Sequence, residues 1–160
     1  MNAALLFLAL TADLTRGERA AQAGDYPAAI AELRPLAEGG SEEAQNCLGA
    51  VYFKMGDYAD AKRWLELGAA QGHPAPQVFL ALMYQGGKGV ERSYIQAAKW
   101  LILAARMDAK AAQMSEAIAL QMTEAERAEA VRLAEEWKRS ELYVPRPILG
   151  PKVEKPGPRS

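Results

Sequence analysis

The sequence predicts an all-α protein, a right-handed α-α superhelix (solenoid) of about four helix pairs. The main evidence is an internal repeat. Tyr26, Tyr58 and Tyr94 each stand three residues before an alanine, and a Gly-Asp pair precedes the first two. The tyrosines are 32 and then 36 residues apart, a spacing typical of repeats in which each unit stacks on its neighbours. No segment has the alternating pattern of a strand.

The same register places a small residue at one position of every unit. Four residues share this position: Gly17, Gly49, Ala81 and Ala117. Close crossing of two helices requires a small side chain, because a larger one holds the backbones apart. Two further sets follow the register: Gln45, Gln77 and Gln113, and Tyr52, Tyr84 and Leu120. The first unit is therefore predicted to begin near Ala12 and the fourth to end near Trp137.

Each unit is predicted to consist of two antiparallel helices. In the second unit Ala44, Leu48 and Tyr52 fall on one helical stripe. A second stripe follows the break at Gly56 and comprises Ala61, Leu65, Gly68 and Ala69.

Helix starts are marked by capping residues. Asp25 and Asp57 are N-cap types. Two further pairs fit the capping box, in which side chains satisfy amides that have no partner within the helix: Ser93 with Gln96, and Thr123 with Glu126. A degenerate fourth unit is expected, because a terminal repeat must turn a polar face to water.

Two consecutive units resemble Sel-1-like repeats, which are relatives of the tetratricopeptide repeat (TPR). The matching residues of the second unit are Leu48, Gly49, Tyr52, Asp57, Tyr58, Ala61, Trp64, Ala69 and Gly72. Those of the third are Leu80, Tyr84, Gly87 to Val90, Tyr94, Ala97, Trp100, Ala104 and Ala105. The turn from Gly87 to Val90 is similar to the glycine-rich insertion that separates this family from plain TPR units. The resemblance spans roughly residues 13–137 and implies a protein-binding solenoid.

The sequence departs from the family pattern at several positions. The first two units lack the four-residue insertion, Ser93 stands where an aspartate is usual, and Asp108 replaces the closing glycine. Some secreted relatives join each helix pair with two cysteines, whereas this chain has a single cysteine.

Three segments are predicted: an apolar leader (1–12), the repeat domain (13–140) and a proline-rich basic tail (141–160). The run from Ala3 to Leu10 is too short to span a bilayer, which takes ~20 residues, but it matches the apolar region of a signal peptide. Cleavage after Ala12 would make Asp13 the first residue. We expect a periplasmic or otherwise exported protein, as small exported bacterial Sel-1-like proteins are. The alternative is a cytoplasmic protein in which the run extends the first helix.

The tail is predicted to be extended and polyproline-like. Residues 145–160 hold five of the nine prolines and a net charge of +3. One hypothesis places residues 141–160 in the binding groove as a lid that a partner displaces.

No catalytic, cofactor or metal site is expected. His73 is the only histidine, and without a second ligand or base it can neither hold zinc nor relay a proton for a nucleophile. Cys47 is the only cysteine, so no intramolecular disulfide is possible. His73 is interpreted as a loop residue and Cys47 as a small packing residue. The net charge of −1 gives no indication of nucleic-acid binding, and no stable membrane span is expected in the mature chain.

The predicted function lies on the surface of the first helices, which line the concave side in this architecture. The face opposite Leu48 is unusually apolar for solvent exposure. The register extends it to nine residues: Asn46, Ala50, Phe53, Val78, Leu82, Gln85, Met114, Ile118 and Gln121. They either form a groove for a segment of another protein or pack adjacent units together. Trp64, Trp100 and Tyr58 are interpreted as inter-helix packing rather than a ligand cage.

We therefore expect a non-enzymatic protein-protein interaction module, an adaptor, scaffold or regulator in the cell envelope. The alternatives are a peptidoglycan- or glycan-binding protein, and a hydrolase of β-lactams or cell-wall material. The few serines lie at no recognisable catalytic spacing from a histidine or lysine.

Overall fold

The computed structural model describes the backbone of residues 3–139 and the side chains of residues 12–138. This part of the chain is helical throughout, with short turns and no strand, so the predicted all-α class is confirmed. The helices are α1 (Ala3–Ala23), α2 (Tyr26–Glu38), α3 (Glu42–Met55), α4 (Tyr58–Ala70), α5 (Pro74–Gly86), α6 (Tyr94–Ala104), α7 (Ala109–Ala119) and α8 (Glu124–Arg139).

Four helix pairs follow one another along the chain. Within the first three units, α1 packs on α2, α3 on α4 and α5 on α6, and each second helix also packs on the first helix of the next unit. A single continuous core results. It contains both predicted stripes of the second unit, from Ala44 to Tyr52 on α3 and from Ala61 to Ala69 on α4.

The predicted caps begin their helices. Asp25 and Asp57 each accept a hydrogen bond from the amide three residues later, at 3.2 and 3.5 Å. Ser93 Oγ accepts one from the amide of Gln96 at 3.2 Å. Thr123 and Glu126 form the full capping box, because each side chain accepts from the other's amide, at 3.3 and 2.8 Å.

The small residues lie where helices cross closely. A Cβ added to Gly17 would lie 2.6 Å from Leu33 Cγ, closer than two carbon atoms can approach without a shift. The interpretation of this register position as a close crossing is therefore confirmed in the first unit.

The repeated glutamines join successive units. Gln45 Nε2 donates to the carbonyl of Ala37 at 3.0 Å, and Gln77 Nε2 donates to the carbonyl of Ala69 at 3.3 Å. Both glutamines are buried. Each adds a donor to a carbonyl in the last turn of the preceding helix, where the amides of Gly40 and Gly72 also donate, at 3.1 and 3.0 Å.

The glycine-rich connection between α5 and α6 is a turn, as predicted. Gly87 and Gly89 have φ of 64° and 68°, the left-handed region that side chains other than glycine rarely adopt. The space at Gly89 is also closed, because a Cβ there would overlap the Cβ of Tyr58. The turn thus lies on the start of α4.

The first helix crosses the predicted cleavage point. α1 runs unbroken from Ala3 to Ala23, so Ala12 and Asp13 lie within one helix. Cleavage after Ala12 stays a prediction, and the tail at 141–160 lies outside the described residues. None of the described helices combines the length and the apolar character that crossing a membrane requires.

The fourth unit departs from the predicted register by one residue. The N-caps of the first helices are Ser41, His73 and Asp108, which are 32 and then 35 residues apart, whereas the tyrosine register predicts a second step of 36 residues. Because one residue turns an α-helix by 100°, the prediction for α7 is wrong about which side faces the core.

Burial in α7 follows the N-cap spacing. Ile118 is buried at the position that Val51 and Met83 occupy in α3 and α5. The register equivalents Gln113, Ala117 and Leu120 are exposed, and Leu120 is 86% exposed.

The last helix packs against α6 rather than forming a tight hairpin with α7. Trp137, near the end of α8, meets Trp100 of α6 edge to face at 4.9 Å between ring centroids. Lys99 places its ammonium over both rings, 4.3 Å from the centroid of Trp100 and 4.6 Å from that of Trp137. α8 therefore packs beside α6, so that the second helices of the third and fourth units are neighbours.

Candidate functional site

The helices form two layers, one made of the first helices of the units and one made of the second helices. The first helices of neighbouring units touch each other, α1 with α3 and α3 with α5, whereas α2, α4 and α6 make no comparable contact with one another. Helices on the inside of a curved array lie closer together than those on the outside. The first helices therefore occupy the inner side. We call the stripe formed by Ala50 and Phe53 of α3 and Val78, Leu82 and Gln85 of α5 the inner face.

All five residues of the inner face are half-buried. On each helix they repeat at the spacing of a single helical stripe, and α3 and α5 contact each other. These positions therefore combine packing between units with residual exposure to solvent. A binding role for them stays a prediction.

Asn46 differs from the rest of its stripe. Its side-chain Oδ1 is buried and lies against Gly68 of α4, and Pro76 of α5 also borders that glycine. Asn46 thus contributes to the junction between units two and three.

The ring of Phe53 is the centre of an aromatic cluster. It lies 5.1 Å from the ring of Phe79 and 5.7 Å from that of Tyr58, between centroids. Lys88, from the glycine-rich turn, places its ammonium 4.9 Å from the centroid of Phe53. Phe79 was not among the predicted residues, because its position on α5 is 100° away from the stripe of Val78.

A hollow of about 250 Å³ opens between α1 and α3 beside Ala50. Ala21 and Val51 form part of its apolar wall, and Glu18 and Lys54 supply charged groups. The inner side therefore has a depression large enough for one or two side chains of another molecule.

The thiol of Cys47 also lines this hollow. Its Sγ lies 3.8 Å from Glu18 Oε1. Burial, together with the negative charge of Glu18, raises the pKa of the thiol to about 11. Cys47 is therefore a neutral thiol at neutral pH, whereas nucleophilic attack requires the thiolate.

The fourth unit does not continue the inner face as predicted. Ile118 is 2% exposed and belongs to the core, Met114 is half-buried against that core, and Gln121 is exposed. The reason is the one-residue change of register. By the N-cap spacing, the equivalents of Val78, Leu82 and Gln85 on α7 are Gln113, Ala117 and Leu120.

Comparison with solved structures gives the fold a counterpart. A protective antigen of uropathogenic Escherichia coli strains, described as displaying an SLR (Sel-1-like repeat) fold, matches with a TM-score of 0.72 at 23% sequence identity. The match covers 94% of this chain and 35% of that one. The chain has the Sel-1-like repeat fold. It spans about a third of the length of that antigen.

Two other comparisons give no relative. No protein-family model matches the sequence, and no curated protein matches it. The match to the solved structure confirms the resemblance found in the sequence, at the level of the Sel-1-like repeat fold.

His73 lies in the connection between α4 and α5, as predicted, and it also has a structural position in this Sel-1-like array. It is the N-cap residue of α5 and is 7% exposed. Its Nε2 lies 3.0 Å from Glu42 Oε2 on α3. The pair joins the starts of two first helices, α3 and α5. No group of three or more histidine, cysteine, aspartate or glutamate side chains within residues 12–138 is arranged to hold a metal ion.

The large aromatic residues are packing residues, as predicted. Trp64 and Trp100 are 4% and 3% exposed. Tyr58 is half-buried against the core, beneath the glycine-rich turn of the Sel-1-like repeat.

Proposed function

We propose that this protein is a non-enzymatic interaction module that binds a segment of another protein on its inner face. The observation that carries the proposal is the half-buried apolar stripe on α3 and α5, continuous with the hollow beside Ala50. Solenoids of this kind bind partners on the concave surface that stacked units create. The apolar side chains would supply affinity, and the charged groups at the rim would orient the segment.

The chemistry of the candidate groups supports binding rather than catalysis. The thiol of Cys47 stays protonated because its pKa is raised to about 11. The imidazole of His73 faces Glu42 and is no partner of Cys47, whose Sγ contacts Glu18. A thiol nucleophile needs an adjacent base or a lowered pKa, and the surroundings of Cys47 have the opposite effect.

A place in the cell envelope is part of the proposal. It rests on the apolar run from Ala3 to Leu10, which has the length of a signal-peptide core. N-terminal sequencing of the protein recovered from its native cell tests this directly. A mature chain that begins at Asp13 is the expected result, and recovery of the intact leader from the cytoplasm would contradict it.

The binding surface can be tested by site-specific photo-crosslinking in the native cell. A photoreactive residue replaces Leu82 on the inner face, and captured proteins are identified by mass spectrometry. The matched control carries the same residue at Ala31, an exposed position on α2 in the outer layer. We expect a protein captured from position 82 and absent from position 31. Capture of the same proteins at both positions, or of none at position 82, would contradict the proposal.

A further inference from the structure

Another groove lies in the outer layer, between α4 and the end of α8. Its volume is about 570 Å³. Ala59, Leu67 and Ala70 of α4 and the ring of Trp137 on α8 form its apolar walls, and Lys62 and Glu66 border it. We call this site the outer groove.

The charged groups at the outer groove already have partners. Lys62 forms an ion pair with Glu66 one turn later on α4, and the guanidinium of Arg63 lies 5.2 Å from the centroid of Trp64. Leu67, in contrast, is 43% exposed. The groove therefore fits an apolar segment better than a charged one.

We propose that the outer groove is occupied by residues 140–149 of this same chain. Trp137 forms one wall of the groove, and α8 ends two residues later at Arg139. The segment that follows therefore starts at the mouth of the groove. It is also apolar, with Leu142, Tyr143 and Val144 followed by Ile148 and Leu149.

The segment is long enough to cover the groove. The part of α4 from Ala59 to Ala70 is about 16 Å long at 1.5 Å per residue, and about five extended residues cover that distance. Pro145 and Pro147 favour extended backbone in the residues before them. A segment this close to its site has an effective concentration on the order of millimolar, so a separate molecule would have to displace it.

The outer groove is a different site from the inner face, where the lid hypothesis places residues 141–160. α8 packs on α6 in the outer layer, so the chain leaves the repeats on the side opposite to the inner face. Residues 140–149 would then hold the end of α8 against α4, and the inner face would stay free for a partner.

Disulfide trapping tests the occupancy. In a Cys47→Ser background, Leu67→Cys is combined with a cysteine at each position from 142 to 149 in turn. The control replaces Leu67→Cys with Leu120→Cys, which is 86% exposed and precedes α8, at the far end of that helix from the tail. We expect intrachain disulfides at position 67 to form at least about tenfold faster than at position 120 for some tail positions. Equal rates would overturn the proposal, and so would disulfides formed only between two chains, which indicate that a second copy fills the groove.

Truncation separates this proposal from the proposed function. Removal of residues 140–160 should increase hydrogen exchange in α4 between Ala59 and Ala70, while capture from a photoreactive residue at position 82 stays unchanged. Unchanged exchange in α4 would overturn the occupancy of the outer groove. Loss of capture at position 82 together with increased exchange in α4 would support the outer groove, but it would contradict the statement that the tail leaves the inner face unaffected.

Discussion

Gly49 of α3 packs directly on Leu65 of α4. A Cβ added to the glycine would lie 2.9 Å from both Cγ and Cδ2 of Leu65 and 3.2 Å from its backbone nitrogen. The leucine side chain can rotate, but the backbone nitrogen cannot move without shifting α4. Gly17 and Leu33 repeat the relationship one unit earlier, so the close crossing is part of the repeat itself.

The substitution Gly49→Ala should therefore destabilise the protein, although alanine is the better helix former. We expect a loss of about 1–3 kcal/mol in the free energy of unfolding, because overpacking forces the two helices apart. Urea denaturation measures it. The control is Gly86→Ala at the exposed end of α5, where the φ angle is not positive and the added Cβ meets only the flexible Lys88 side chain. An equal loss in both variants would contradict the crossing argument.

The inter-unit hydrogen bond of Gln77 gives a second prediction. Gln77→Leu removes the donor to the carbonyl of Ala69, at a site that is 2% exposed. The carbonyl of Ala69 keeps the amide of Gly72 as a donor, at 3.0 Å. The free energy of unfolding should therefore fall by the contribution of one hydrogen bond, about 0.5–1.5 kcal/mol. Gln113→Leu is the matched control, because Gln113 holds the same predicted register position but is exposed. Similar losses of stability in the two variants would show that the loss in Gln77→Leu does not come from the hydrogen bond.

The regular units were predictable because their signals are local. The N-caps Asp25 and Asp57, the small residue at Gly49 and the turn at Gly87 each follow from the chemistry of a few neighbouring residues. Local signals of this kind need no knowledge of distant contacts.

The fourth unit was mispredicted because the connection before it is one residue shorter than the register assumes. Asp57 and His73, the N-caps of α4 and α5, are 16 residues apart, whereas Ser93 and Asp108, the N-caps of α6 and α7, are 15 apart. Asp108 was aligned with Gly72 as a replaced closing glycine. Its carboxylate in fact caps α7 by accepting from the amides of Lys110 and Ala111, at 2.8 and 3.0 Å.

The capping chemistry of aspartate was the available signal for that change of register. The position of α8 had no such signal. It depends on the contact of Trp137 with Trp100 across different units, and periodicity does not report tertiary contacts of this kind.

The thiol of Cys47 should react slowly. With its pKa raised from 9.0 to about 11, its thiolate fraction at pH 8 is roughly a hundredfold smaller than that of an ordinary cysteine. Alkylation of the folded protein should therefore be slow, and Glu18→Gln should accelerate it by removing a negative charge beside the sulfur. Rates measured by mass spectrometry against pH test this. No acceleration in Glu18→Gln at equal stability would contradict the role of that carboxylate.

The same pKa shift predicts how stability depends on pH. The unfolded thiol ionises near pH 9 and the folded one near pH 11, so the folded protein binds more protons between these values. The free energy of unfolding should therefore fall as the pH rises through this window. Cys47→Ala lacks this contribution, and its stability should fall less over the same range.

Trp137 should anchor α8 to the rest of the array. Its ring meets Trp100 and the ammonium of Lys99, and α8 packs on α6 rather than forming a tight hairpin with α7. We expect Trp137→Ala to lower the free energy of unfolding by about 3 kcal/mol, the usual loss for a large packed aromatic side chain.

The same substitution should change the ionisation of Lys99. Burial lowers the pKa of this lysine, and the carboxylate of Glu66 opposes the effect only in part. Removing the ring of Trp137 returns water to the ammonium, so the pKa should move up towards its ordinary value. NMR titration of the lysine measures the change. Val131→Ala, at a half-exposed position of the same helix, should leave both the pKa and the stability near those of the native protein. A fall in the pKa of Lys99 in Trp137→Ala would show instead that attraction to the ring outweighs burial.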